Sequence, residues 1–193
     1  MTVTGKTEPV AGYAVSVCSG GRGCAHAAFP TAELAGELTR LLERADISGF
    51  LRGSLGENIR PHHVFRVALT DCPNACSRPQ IADIGIIGAD VPGVGKNACT
   101  GCTACVQACP DQAIRLTDTP DEEEKPEIDT IRCQRCGKCI HACPSRTLEP
   151  VQSGFRVLLG GRLGRRPRLA MELSGLYSRE QVLSIVVTCL NYY

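Results

Sequence analysis

The strongest constraint on this chain is a run of cysteines that occurs twice. Each copy has the spacing C-x2-C-x2-C-x3-C-P, and each residue of the second copy lies 34 positions after its counterpart in the first. The first copy consists of Cys99, Cys102, Cys105, Cys109 and Pro110, and the second of Cys133, Cys136, Cys139, Cys143 and Pro144. Such a match indicates an internal duplication.

This spacing lets a tight loop place three thiolates on one iron–sulfur cube while the fourth cysteine reaches the other cube. One [4Fe–4S] cluster is predicted to bind Cys99, Cys102, Cys105 and Cys143, and the other Cys133, Cys136, Cys139 and Cys109. The run resembles that of the bacterial two-cluster ferredoxins. This resemblance implies a 2[4Fe–4S] ferredoxin-like insertion over residues 96–148 and electron transfer from a separate donor protein.

Zinc and disulfides are the alternative uses of such cysteines. Paired C-x2-C units also form tetrahedral zinc sites, but each copy here offers more thiols than a four-ligand site can use. A disulfide framework fits poorly with an odd total of 13 cysteines and with a reducing compartment. No C-x-x-C is followed by histidine, which excludes covalent c-type haem.

Composition gives little indication of a charged partner. The 193-residue chain has 21 basic and 20 acidic residues, which predicts no nucleic-acid partner. The sequence shows no secretory signal and no run of 18 apolar residues, so it predicts a cytoplasmic protein without a membrane span. The acidic run at residues 121–124 is either a solvated loop or a docking patch for a basic electron donor.

Four further cysteines lie outside the repeat. Cys18 and Cys24 have the spacing C-x5-C, and Cys72 and Cys76 have the spacing C-x3-C within CPNAC. Only the fold could unite the two pairs, as a third [4Fe–4S] cluster would require. Together with HVFRVALT, IADIGIIG and GFRVLLGGRLGRRPRLA, these cysteines resemble the siroheme-dependent sulfite and nitrite reductases, the dissimilatory and anaerobic enzymes in particular.

The resemblance implies a third cluster on these four cysteines, with Cys76 as a catalytic residue that bridges to siroheme. It also implies an α+β fold in which residues 1–95 and 149–193 form half of a sulfite/nitrite reductase-like domain, interrupted by the ferredoxin-like insertion. The family carries a further subdomain upstream of the C-x5-C turn, whereas 17 residues precede Cys18. We therefore expect a partner subunit or second copy to complete the siroheme pocket.

Arginines are the candidate ligands of siroheme carboxylates and of an anionic substrate, because the guanidinium stays charged and binds carboxylates with two hydrogen bonds. Arg22 and Arg78 lie within the cysteine turns, and Arg66 lies on the strand before Cys72. These three are predicted to serve both catalysis and cofactor binding. The alternative for each is a solvated surface position.

The glycine-rich stretch near the C-terminal end adds Arg162 and Arg165 as predicted cofactor ligands, with Arg166 and Arg168 close by. His62 and His63 are candidate proton donors, because histidine titrates near neutral pH, or else they are ordinary packed or exposed residues.

Periodicity predicts the packing around these sites. Residues 31–45 carry leucines at helical spacing, which predicts a packing helix. Alternation in HVFRVALT predicts a strand with Arg66 facing away from the core. Gly85 is predicted to be closely approached by a bulky group, and Cys189 to be a buried core thiol.

Three functions follow from the sequence. The first is a sulfite or nitrite reductase in which electrons pass through the ferredoxin clusters to the third cluster and siroheme. The second is a three-cluster electron-transfer protein without siroheme that serves a partner oxidoreductase. The third is a noncatalytic assembly or sensor subunit.

Overall fold

The computed structural model describes residues 12–56, 59–117 and 125–192, with backbone alone for Gly21 and Arg22. In chain order the elements are β1 Tyr13–Val17, α1 Ala32–Arg44, α2 Ile47–Leu55, β2 Phe65–Thr70, β3 Ile84–Val94, α3 Ala104–Ala108, β4 Ile114–Leu116, β5 Pro126–Ile128, α4 Lys138–Ala142, β6 Leu148–Leu159, β7 Met171–Glu172 and α5 Arg179–Leu190. The acidic run at residues 121–124 lies outside the described residues.

Five strands form one mixed sheet in the order β1-β2-β3-β6-β7. The first three strands are parallel, and β6 and β7 each run antiparallel to their neighbour. Strands β3 and β6 form a long ladder that ends with the pair Val94 and Leu148. The chain between these two residues contains α3, α4 and the two-stranded sheet β4-β5. The predicted α+β class is confirmed.

Helices α1 and α5 pack on one face of the sheet and form the main core with it. The predicted packing helix is confirmed, because Leu38 of α1 is buried in the same hydrophobic core as Val67 of β2 and Val186 of α5. Arg66 is exposed, as the alternation predicts. Cys189 packs against this core but is only partly buried, because it lies in the last turn of α5.

The opposite face of β3 is crossed by the segment that follows Cys76. A Cβ on Gly85 would overlap the carbonyl oxygen of Pro79, so only glycine lets this segment lie directly on the strand. The predicted close approach at Gly85 is confirmed. The approaching group is the backbone of the chain itself.

Candidate metal centres

The duplicated cysteine run forms two loops with the same backbone conformation. Helices α3 and α4 have five residues each and begin 34 positions apart. Each follows a residue in the left-handed region, Thr103 with φ of 58° and Gly137 with φ of 69°. Gln112 and Arg146 repeat this correspondence with φ of 51° and 53°. The structure therefore confirms the internal duplication.

The thiols of the two loops form two groups, and each group includes the last cysteine of the other loop. Burial raises the pKa of Cys105, and the nearby thiols of Cys143 and Cys99 raise it further. Burial likewise raises the pKa of Cys139 to about 12. The nearby thiols of Cys136, Cys133 and Cys109 contribute to this increase in the pKa of Cys139. This exchange of the fourth cysteine is the one expected for a pair of cubes.

Backbone N–H groups point at sulfurs of the second group. Arg135 donates to Cys133 Sγ over 3.4 Å, and Ala113 donates to Cys109 Sγ over 3.3 Å. Such donors stabilise the thiolate, which is the form in which cysteine binds iron.

Cys143 is the best-stabilised thiol of the first group. Burial raises its pKa, but hydrogen bonds from the Ser145 hydroxyl, from the backbone of Leu148 and from the backbone and hydroxyl of Thr147 outweigh burial, so the pKa lies below its usual value. The surroundings of this thiol therefore favour negative charge on the sulfur.

The four outer cysteines meet at one edge of the five-stranded sheet. Because β1 and β2 are parallel neighbours, their carboxyl ends lie side by side, and Cys18 and Cys72 follow these ends. Burial raises the pKa of Cys72, and the nearby thiols of Cys76, Cys18 and Cys24 raise it further. Cys24 and Cys76 are exposed. The fold therefore brings together two cysteine pairs that are distant in sequence.

Asp71 ties this outer site to helix α1, and the sequence reasoning missed it. Its carboxylate, in a residue that is 1% exposed, accepts hydrogen bonds from the Thr31 backbone N–H over 3.0 Å and the Thr31 hydroxyl over 2.6 Å. The Asp71 backbone N–H donates to Cys18 Sγ over 3.3 Å. A Cβ on Gly20 would overlap the same carboxylate. The available signal was an acidic residue directly before Cys72.

The groups of neighbouring thiols consist of the ligand that [4Fe–4S] clusters bind. Within residues 12–56, 59–117 and 125–192, no three histidine, cysteine, aspartate or glutamate side chains lie close enough together to hold one metal ion. A four-iron cube spreads its thiolates more widely than one zinc ion does.

The predicted arginines lie in two separate places. One cavity of about 640 Å³ is lined by Arg66, Arg162, Arg165, Arg168 and His62, among others. It lies at the amino-terminal ends of β2 and β3, where the Arg66 backbone N–H donates to the Asp83 carboxylate over 2.8 Å. Arg66 precedes Thr70 by four strand positions, or about 13 Å. The cavity and the outer cysteines therefore lie at opposite ends of the strands.

The other two predicted arginines belong to the cysteine turns. Arg78 is exposed and has φ of 59°, directly after the turn that contains Cys72 and Cys76. Arg22 ends a short 3-10 turn, Ser19–Arg22, and its side chain lies outside the described part of the chain.

Of the two candidate histidines, His62 lines the cavity and His63 follows it in the sequence. Their rings pack edge to face, with the centroids of His62 and His63 4.1 Å apart. Both residues precede β2 and lie near its amino-terminal end, whereas Cys72 follows its carboxyl end.

The family model described as "Nitrite and sulphite reductase 4Fe-4S domain" matches residues 13–193. The chain belongs to this family. The coenzyme F420-dependent sulfite reductase of Methanocaldococcus jannaschii is 34% identical over 114 residues, which cover 59% of this chain and 16% of that protein. A subunit of the anaerobic sulfite reductase of Salmonella typhimurium is 30% identical over 105 residues, which cover 54% of this chain and 26% of that protein. The matched segments are thus a minor part of both relatives.

A solved structure shares the fold. The crystal structure of dissimilatory sulfite reductase I superposes with a TM-score of 0.55 at 18% identity, over 90% of this chain and 44% of that chain. The resemblance to sulfite and nitrite reductases predicted from the sequence is therefore confirmed. Among the described residues, no helix is both long and apolar enough to cross a membrane.

Proposed function

We propose that this chain passes electrons through two ferredoxin-type [4Fe–4S] clusters to a third [4Fe–4S] cluster coupled to siroheme, for the reduction of sulfite or nitrite. The observation that carries the proposal is the order of the three thiol groups along strand β3. In this proposal, residues 96–148 form the ferredoxin-like insertion and residues 1–95 with 149–193 form the host domain. The last ladder pair, Val94 and Leu148, supports this boundary.

One ferredoxin-type group docks directly on β3, and we name it the proximal group: Cys109, Cys133, Cys136 and Cys139. The Asp90 backbone N–H donates to the Arg135 carbonyl over 2.9 Å, and Asp90 also pairs with Cys136 in an isolated bridge. Two positions earlier, a Cβ on Gly88 would lie 3.0 Å from the Asp71 carbonyl oxygen, beneath the turn of the outer cysteines. Asp90, at the proximal group, and Gly88, at the outer cysteines, are therefore about 7 Å apart along the strand.

The distal group consists of Cys99, Cys102, Cys105 and Cys143. It lies past the end of the β3–β6 ladder, where the Gly95 backbone N–H donates to the Thr147 carbonyl over 2.7 Å. The proposed route therefore runs from a donor protein to the distal cluster, then to the proximal cluster, and then to the outer cysteines.

Arg156 of β6 fixes the proximal loop to the sheet. Its guanidinium donates to both carboxylate oxygens of Glu172, over 2.8 and 2.6 Å, and to the Gln134 carbonyl over 3.4 Å. Its side chain is only 15% exposed. Because electron-transfer rates fall steeply with distance, a fixed position of this loop supports the proposed route.

Siroheme, when bound, would supply the redox-active iron at which a small oxyanion is reduced. Cys76 is the proposed shared ligand, since its thiol is an exposed member of the outer group. Arg78 and Arg22, in the two cysteine turns, are proposed to bind the anion. The cofactor carboxylates would pair with Arg66, Arg162 and Arg165, which line one cavity. Because Arg66 lies in this cavity and away from the outer cysteines, we assign it to cofactor binding and not to catalysis. A partner subunit or a second copy would complete the pocket.

A second candidate function is a three-cluster electron-transfer protein without siroheme. The observation that favours it is the separation of the arginine cavity from the outer thiols along β2. A cluster can then bind at the outer site without any cofactor in the cavity.

The visible spectrum and the iron content of the full chain distinguish these functions. The proposal expects about twelve irons per chain together with a siroheme absorption band, and the carrier expects the irons without the band. About eight irons would indicate that only the ferredoxin-type groups bind clusters. The absence of the siroheme absorption band would refute the reductase proposal.

Cys76→Ser tests the outer site separately. We expect it to abolish reduction of sulfite or nitrite by a chemical reductant while the EPR signals of the two ferredoxin-type clusters persist. Cys189→Ser is the matched control, because this thiol packs against the hydrophobic core and should leave activity and iron content unchanged. Loss of all cluster signals in Cys76→Ser would refute the separation of the sites.

A further inference from the structure

The duplicated loops differ just after the cysteine that each contributes to the other group. Cys109 and Cys143 are equivalent positions. The residues that follow two and four positions later are Asp111 and Ala113 in the first loop, and Ser145 and Thr147 in the second. Because the backbone is the same at the intervening Gln112 and Arg146, the difference between the loops lies in these side chains.

The second loop places two hydroxyls beside its sulfur. Ser145 Oγ lies 3.5 Å from Cys143 Sγ and 2.8 Å from Thr147 Oγ1. Thr147 is 2% exposed, and its hydroxyl oxygen lies 2.9 Å from the Ala98 carbonyl oxygen. Each hydroxyl carries one proton, so Ser145 donates to Cys143 Sγ when the Thr147 proton is directed at Ser145 Oγ. Buried hydrogen bonds of this kind fix Thr147, which in turn positions Ser145.

The first loop offers no equivalent donor from these side chains. Alanine at position 113 has no hydroxyl, and an ionised aspartate at position 111 only accepts hydrogen bonds. Cys109 Sγ accepts from the Ala113 backbone N–H over 3.3 Å, the counterpart of the backbone hydrogen bond from Thr147 to Cys143. The hydroxyl contact is therefore specific to the distal group.

We propose that Ser145 is a positioning residue that raises the reduction potential of the distal cluster by donating a hydrogen bond to Cys143 Sγ, with Thr147 holding it in place. Reduction adds negative charge to the cluster and its sulfurs, so an O–H directed at a sulfur stabilises the reduced state more than the oxidised state. The inference rests on the cluster assignment in the proposed function and requires neither siroheme nor a substrate.

A potentiometric titration followed by EPR tests this role in the full chain, reconstituted anaerobically with iron and sulfide. Ser145→Ala is expected to lower the potential of one cluster and leave the other unchanged. At the wild-type midpoint, the ratio of reduced to oxidised distal cluster should fall about three- to ten-fold, the effect of one ordinary hydrogen bond. Ser145→Thr keeps the hydroxyl and is expected to restore the ratio.

The equivalent position in the first loop gives an independent test. Asp111→Ser is compared with Asp111→Ala, because both remove the charge and only the first adds a hydroxyl. The proposal expects a higher potential for the proximal cluster in Asp111→Ser than in Asp111→Ala. Ser184→Ala on α5 removes an exposed hydroxyl elsewhere and should change neither cluster.

Three results would overturn the inference: unchanged potentials in Ser145→Ala, equal shifts of both clusters, or a Ser145→Thr variant that matches Ser145→Ala. If the Ser145 variants do not retain the distal irons, equal potentials in the two Asp111 variants overturn it. A wild-type chain that assembles no ferredoxin-type cluster would instead refute the proposed function.

Discussion

Replacement of Asp71 by alanine is expected to remove the hydrogen bonds that connect the outer cysteine site to Thr31, the residue before helix α1. The carboxylate is the acceptor for both the backbone N–H and the hydroxyl of Thr31, and both residues are almost fully buried. The same residue donates its backbone N–H to Cys18 Sγ. One substitution therefore affects the N-terminal end of a core helix and a candidate cluster site together.

The expected cost follows from the two donors that lose their acceptor. A buried donor without a partner costs about 1–3 kcal/mol, so the loss of the acceptor for two donors in Asp71→Ala should lower the free energy of unfolding by about 2–6 kcal/mol. In a chain of this size, about 3 kcal/mol corresponds to a decrease in Tm of about 6–12 °C. Asp71→Asn keeps an acceptor oxygen and should cost about 1 kcal/mol, the loss of charge assistance.

Thermal unfolding followed by circular dichroism measures this change, and the iron content measures the site. We expect Asp71→Ala to lose about four irons per chain while the ferredoxin-type EPR signals remain. Thr39→Ala is the control, since its hydroxyl only donates to the Ala35 carbonyl within α1. The reasoning is refuted by a Tm for Asp71→Ala equal to that of Thr39→Ala, or by loss of the ferredoxin-type signals.

Four further outcomes are expected. Arg156→Ala should lower the free energy of unfolding by about 1–2 kcal/mol and slow electron transfer to the outer site in stopped-flow measurements. Arg115→Ala is the control and should lower the free energy of unfolding by less than about 0.5 kcal/mol. The Arg115 side chain, which pairs with Glu127, is 77% exposed. The hydrogen bond from Arg156 lowers the pKa of Glu172 from its usual 4.5. The stabilisation from this pair should therefore be complete above pH 4.5 and disappear as the pH falls through the lowered pKa, which urea titrations below pH 6 would detect. Arg162→Ala should lower the siroheme content per chain without lowering the cluster iron, as pigment extraction would measure. Leu38→Ala should lower the free energy of unfolding by about 2–5 kcal/mol, because it leaves a cavity beneath α1.

The features predicted best from the sequence are those set by local spacing. The correspondence of α3 and α4 follows from cysteines that recur at one interval, and the core face of β2 follows from alternation at Phe65, Val67 and Leu69. Local spacing also predicts which cysteine crosses to the other group, because the fourth thiol of a short loop cannot reach the same cube as the first three.

The features that local spacing could not predict depend on strand pairing. Cys18 and Cys72 become neighbours because β1 pairs with β2 in parallel register, and only family resemblance indicated their association. The extended conformation of β2 places Arg66 at the far end of that strand from Cys72, although the two are six positions apart in sequence. The role of Asp71 depends on Thr31, forty residues away, so no local pattern contains it.

The closing pair of the β3–β6 ladder places the two ends of the proposed insertion, residues 96–148, close together. Directly paired residues of antiparallel strands have Cα atoms about 5 Å apart, so Val94 and Leu148 could equally be joined by a tight turn. Units inserted at such points can be gained, lost or lengthened with little effect on the parent fold. In the proposed organisation, a single recombination event at this end of the ladder is enough to add or remove the inserted unit, and helices α1 and α5, which pack on one face of the sheet, need not change.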